Sequence, residues 1–76
     1  MTQHPKGGRG HTAAVAPTIP LSQPGRLRVG HLLSLFAISH STLYKGLRTE
    51  RYPPPDGHDG RLPYWRTETI RAFLER

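Results

Sequence analysis

From residue 27 onward the apolar positions recur with helical spacing. Val29, Leu32, Leu33, Leu35 and Phe36 fall on one broad arc at about 100° per residue, with His31 and Ser34 opposite. This predicts a short amphipathic helix near 29–37, weakened at its start by Gly30 and by the lack of a good N-cap. Ala37-Ile38-Ser39 follows, and the Ser39 hydroxyl is placed to accept a bond from the N–H of Ser41 or Thr42. A second helix is therefore expected from His40 to about Glu50. Leu43 and Leu47 point inward on it, while Ser41, Lys45 and Arg48 point outward, flanked by Thr42 and Thr49. Tyr44 lies at the edge of that face. Gly46 lies near the buried side, where a missing side chain lets another helix approach at a propensity cost of about 1 kcal/mol. Two short helices with a three-residue junction make a helix-turn-helix pattern.

The rest of the chain is read from its turn chemistry. Tyr52-Pro53-Pro54-Pro55 ends the second helix, since prolines lack the donors to continue it. Residues 56–60 (Asp-Gly-His-Asp-Gly) are turn residues. Residues 61–65 read as an extended stretch that would pair with 52–54, with Pro63 confining it to an edge and 57–60 at the tip. A hairpin beside a helix-turn-helix is the winged arrangement. Thr67 is a candidate cap for a third helix running from Glu68 to about Arg76, with Ile70, Phe73 and Leu74 as its apolar face. Trp65, the largest apolar group, is expected to cover the core. The fold class expected is mainly α: two helices, a short β-hairpin wing and a C-terminal helix over 27–76.

Residues 1–26 have a different character. They hold four of the eight Gly and four of the eight Pro, and no aromatic residue. Such a segment buries too little to offset its ordering entropy, so a disordered basic tail is expected there. Its Lys6, Arg9 and Arg26, with His4 and His11 beside them, would serve either as an arm that adds phosphate contacts or as an inert leader. The short apolar run 13–16 is broken by Pro17 and Pro20, so a signal peptide is not expected.

Charge sharpens the picture. Eleven Lys+Arg against five Asp+Glu give a formal net charge of +6, and no acidic residue precedes Glu50. The class of partner expected for such a chain is a polyanion. Cysteine is absent, which excludes disulfide staples and thiolate zinc sites. No window approaches the roughly 20 apolar residues of a membrane span. Asp56, His58 and Asp59 match no metal loop well and are accounted for by a tight turn. No nucleophile–base pair or phosphate-cradling glycine loop is present, so neither an enzyme nor a cofactor is expected. A cytoplasmic, nucleoid-associated location fits this reading.

Hydroxyls near the start of the second helix and cations further along suit a helix whose N-terminal end enters a major groove. Lys45 and Arg48 would then touch base edges or phosphates. Alternatively, they form a solvated helix face. Tyr44 is either a core-edge aromatic or a phosphate donor. Arg61 and Arg66 flank the extended stretch and suit phosphate contact.

The run Arg28-Val29-…-Leu35-…-Ile38-Ser39-His40-Ser41-Thr42-Leu43-Tyr44-Lys45, then Arg51-Tyr52-Pro53 and the closing Trp65-Arg66-…-Glu68-…-Ile70-…-Ala72-Phe73-Leu74, resembles the AlpA-like prophage regulators. These are excisionase-like small winged-helix proteins related to the MerR DNA-binding domain. The likeness covers about residues 27–76. It implies binding to double-stranded DNA, to control transcription in a prophage or mobile element or, alternatively, to assist excision by bending DNA. Ser39, His40, Ser41, Thr42, Tyr44 and Lys45 would then begin the recognition helix. Several positions depart from the family pattern. Ala37 and Glu50 stand where Gly is usual, Gly46 replaces a larger residue, and His31 sits where Glu is frequent. The loop over 54–63 does not align in detail. A rival from another class is a small protein-interaction module with an acidic partner. One recognition helix reads only a few base pairs, so specific binding calls for repeated or paired sites. With no heptad pattern, self-association is expected on DNA.

Overall fold

The computed structural model describes residues 13–76. Its elements run β1 (Arg26–Leu27), α1 (Val29–Phe36), α2 (His40–Arg48), β2 (Gly57–Asp59), β3 (Leu62–Arg66) and α3 (Thr67–Leu74). The strands form one antiparallel sheet in the order β1-β3-β2. The described residues are therefore mixed α/β, where the apolar pattern suggested mainly α. A two-residue strand such as β1 leaves no alternation to read.

Both predicted helices of the first half form. Ser39 caps α2 as its chemistry requires, its Oγ accepting from Thr42 N–H at 3.2 Å. The start of α1 is better held than its composition suggests. His31, in the first turn, accepts from the Arg28 N–H through Nδ1 at 2.9 Å, the return half of a capping box. Both helices end in the same two-bond motif. Ala37 N–H reaches Ser34 O and Ile38 N–H reaches Leu33 O; Glu50 N–H reaches Leu47 O and Arg51 N–H reaches Gly46 O. Ala37 and Glu50 consequently sit in the left-handed region, at φ 56° and 62°. α2 stops at Arg48, two residues short of the expected Glu50.

The hairpin uses different residues from those expected. β3 pairs with 57–59, not with 52–54, in the register Gly57–Tyr64, His58–Pro63 and Asp59–Leu62. The tip is Gly60-Arg61, with Gly60 alone at positive φ, as a II′-type turn demands. Residues 52–54 instead run past Trp65, whose indole N–H donates to the Pro53 carbonyl at 2.8 Å. β3 is the central strand despite Pro63. Because β1 reaches only Trp65 and Arg66, Pro63 keeps one open flank and the missing donor is not needed.

Leu27, Val29, Leu32, Leu33, Leu43, Trp65 and Ile70 form the buried core. At one end Phe36, Tyr52 and Phe73 pack as three mutually contacting rings, with centroids 5.1–5.8 Å apart. Gly46 accommodates this cluster. A Cβ there would overlap the Tyr52 ring, so the close neighbour is an aromatic from the following loop and not a helix.

Two further expectations change at the N-terminal side. Thr67 does not cap α3: it is the helix's first residue and almost wholly buried. Its Oγ1 donates to Gln23 O, and its N–H donates to Gly25 O at 3.0 Å. Together with Arg71 Nη1 donating to Leu21 O at 3.2 Å and Val15 N–H to Gly30 O at 3.0 Å, these bonds fasten residues 13–25 along the fold. Leu21 packs against the core as well. The folded part therefore begins before the boundary at 26/27 that composition suggested. Carbonyl acceptors, which composition does not count, order the segment. The expectation of a disordered tail over 1–12 lies outside the described residues.

Candidate nucleic-acid interface

α2 presents Ser41, Thr42, Tyr44, Lys45 and Arg48 to solvent, with Leu43 and Gly46 turned inward. This is what the helical period requires once Leu43 is committed to the core. No acidic residue lies in its first turn, so the positive end of the helix dipole is unmasked. The Ser39 hydroxyl is occupied by its capping bond and by a 2.9 Å bond to Thr42 Oγ1. Further along, Thr42, Lys45, Gly46, Thr49 and Arg51 line a shallow hollow of about 350 Å³. Thr49 Oγ1 is turned back to the Lys45 carbonyl at 3.0 Å. Among the described residues, the side chains of Lys45, Arg48 and Arg61 have no acidic or hydrogen-bonding partner.

The β2–β3 hairpin and the first half of α2 border one groove. It is open, with a volume of about 380 Å³, and is lined by His40 and Tyr44 from α2, Arg61, Leu62 and Pro63 from the hairpin, and Arg28, Val29 and Gly30 from the start of α1. The rings of His40 and Tyr44 pack with centroids 4.7 Å apart. Tyr44 is thus not a core-edge aromatic. Its side chain is exposed and borders the groove.

Of the nine sequence-predicted residues, eight belong to α2, its cap or the adjoining hairpin tip. Arg66 is placed elsewhere. It lies at the far end of β3, about 15 Å from Arg61 at strand rise, in register with Arg26. Strand alternation turns Trp65 inward, and so turns Tyr64 and Arg66 to the outer face of the sheet. Arg26 lies over the Tyr64 ring there, 4.2 Å from its centroid. Arg66 lines a separate hollow with Pro24, Gly25, Arg26, Thr67 and Glu68.

Sequence reasoning missed two cations. Arg51 joins the hollow on α2 because the left-handed turn at Glu50 brings the chain back towards the helix. Arg28 lines the groove and pairs with Asp59 of β2, Nη2 to Oδ2 at 2.6 Å, while Arg26 Nη1 reaches Oδ1 at 3.1 Å. Asp59 is thus a clasp between the hairpin and the β1–α1 junction. The bond from Arg28, aided by the charge of both arginines, holds its carboxyl below its ordinary value of 3.8. With a lowered folded-state value, whatever stability this clasp supplies is present at neutral pH and is lost only as pH falls through that lowered value. The pairs are exposed, so their effect is to orient rather than to stabilise. No signal in the sequence marks a contact spanning about thirty positions.

Among the described residues no group of His, Asp and Glu is arranged to hold a metal ion, and no helix is long and apolar enough to cross a membrane. No family model, curated protein or solved structure matches the chain.

Proposed function

We propose that this is a sequence-specific, non-enzymatic DNA-binding protein of the winged helix-turn-helix type, with α2 entering the major groove and the β2–β3 hairpin as its wing. One observation carries the reading. The exposed face of α2 combines small hydroxyls, an unmasked helix N-terminus and the unpartnered cations Lys45 and Arg48, beside a hairpin tip bearing Arg61. A solvated helix face has no need of an arginine at a neighbouring hairpin tip. The residue likeness to AlpA-like regulators supports a role in controlling a prophage or mobile element.

Duplexes selected from a random pool test this directly. With about four to six phosphates neutralised, the log–log slope of affinity against salt is expected near −4 to −5. A flat dependence overturns the proposal. Lys45→Ala is expected to relax base preference if Lys45 reads bases, and to weaken all sequences alike if it touches only phosphate.

A further inference from the structure

The hollow on α2 lies at the opposite edge of that helix from the hairpin. At about 100° per residue, His40 and Tyr44 stand at one edge of the exposed arc, beside the hairpin groove. Ser41 and Arg48 stand in its middle, and Lys45, Thr49 and Thr42 follow towards the other edge. There Thr42, Lys45, Gly46, Thr49 and Arg51 line the hollow of about 350 Å³. Its polar side chains are left with donors to offer. Lys45 and Arg51 are exposed, and neither side chain has a partner among the described residues. Thr42 Oγ1 accepts from the Ser39 hydroxyl at 2.9 Å, which leaves its own proton to give. Thr49 Oγ1 already donates to the Lys45 carbonyl, and no carboxylate lines the hollow. Glu50, next in the chain, lines a separate hollow with Leu47 and Phe73, which Arg51 also borders. Arg51 owes its place to the backbone. With Glu50 at φ 62°, the Arg51 N–H turns back to the Gly46 carbonyl at 2.7 Å. Two unpaired cations beside a hydroxyl donor, with no acid in the lining, suit an oxyanion.

We propose that Arg51 is a phosphate-binding residue: with Lys45 beside it, it holds the sugar–phosphate backbone along the edge of α2 that faces away from the hairpin. The walls of a major groove about 12 Å wide are the two phosphate backbones, and a helix with its side chains is about 10–12 Å across. Donors at both edges of α2 therefore meet different phosphates, Arg61 on the hairpin side and Arg51 on the other. This rests on the proposed function and extends it to a residue outside α2 and the hairpin.

The test uses the full chain and a duplex taken from the random-pool selection, made with a neutral methylphosphonate at one phosphate at a time. Arg51→Ala is expected to weaken binding about tenfold and to reduce the salt slope by about 0.9. Arg51→Lys, which keeps the charge and loses the fork, is expected to retain most of the slope with part of the affinity loss. The parent protein is expected to bind more weakly when the phosphate met by Arg51 is neutralised, and Arg51→Ala to be indifferent to that same change. Arg61→Ala is expected to become indifferent to a different phosphate. Because the Arg51 side chain is exposed and unpaired, the melting midpoint of free Arg51→Ala is expected to match the parent's. The proposal is overturned if Arg51→Ala leaves affinity and slope unchanged, or if Arg51 and Arg61 depend on the same phosphate. It is equally overturned if Arg51→Ala binds more weakly yet keeps the parent's penalty at every neutralised phosphate, since Arg51 would then act only on the fold. Failure of the parent protein to bind any duplex in a salt-dependent way would instead reject the DNA-binding function itself.

Discussion

Ala37 and Glu50 occupy backbone that L-residues avoid, because in the left-handed region Cβ crowds the following carbonyl at a cost of about 1–2 kcal/mol. Both hold a helix end that glycine fills without strain. The unfolded chain loses less entropy with Ala than with Gly, which returns part of the difference. Ala37→Gly and Glu50→Gly are each expected to stabilise the protein by about 0.5–1 kcal/mol, raising the melting midpoint by about 3–8 °C. Calorimetry on the single variants and the double variant checks this, and the gains are expected to add because the two turns cap different helices. A fall in midpoint would mean that neither turn is strained. His31 works the other way. It stands in the place of the usual capping-box glutamate and performs the same acceptor task through Nδ1. Nothing in the apolar pattern distinguished that role from a plain polar-face residue.

At the scale of elements, the sequence was most legible where one periodicity decides the matter. α1, α2, the Ser39 cap and the covering Trp65 follow from apolar spacing and hydroxyl placement, and the exposed face of α2 follows with them. The sheet was less legible. β1 is too short to show a pattern, and the strand partner of β3 contains Gly57 and two charged or polar residues that read as turn. The segment over residues 13–25 was hidden because its bonds depend on where Thr67 and Arg71 lie in space. It is nevertheless structural. A chain begun at Arg26 leaves the buried Thr67 hydroxyl and N–H without acceptors and removes the partly buried Leu21. It is expected to lose about 2–4 kcal/mol relative to a chain begun at Ala13, and to melt at least 10 °C lower. Equal midpoints for the two truncations would show that these bonds contribute nothing.

Across the whole molecule, the formal +6 is not one field. Three positive charges belong to Lys6, Arg9 and Arg26, and the eight basic residues from 27 onward are offset by five acids. Asp59 further occupies Arg26 and Arg28, which leaves Lys45, Arg48, Arg51 and Arg61 as the cations of the candidate interface whose side chains have no partner among the described residues. Val15 is bonded to Gly30, and Gly30 lines the groove beside α2. The chain therefore enters the described fold next to the proposed DNA-facing surface, and not behind it. Arg9 and Lys6 lie six and nine positions before Val15, which permits a reach of roughly 20 and 30 Å. That is enough to meet phosphates flanking the site. If the leader acts as an arm, replacing both residues by Ala is expected to lower the salt slope by about 1.8 with base preference unchanged, because phosphate contacts position without specifying. The same replacement is expected to leave the melting midpoint of the free protein unmoved. An unchanged slope, measured on the duplex that yields about −4 to −5 for the parent protein, would make residues 1–12 an inert leader and confine the useful charge to α2, the hollow beside it and the hairpin tip.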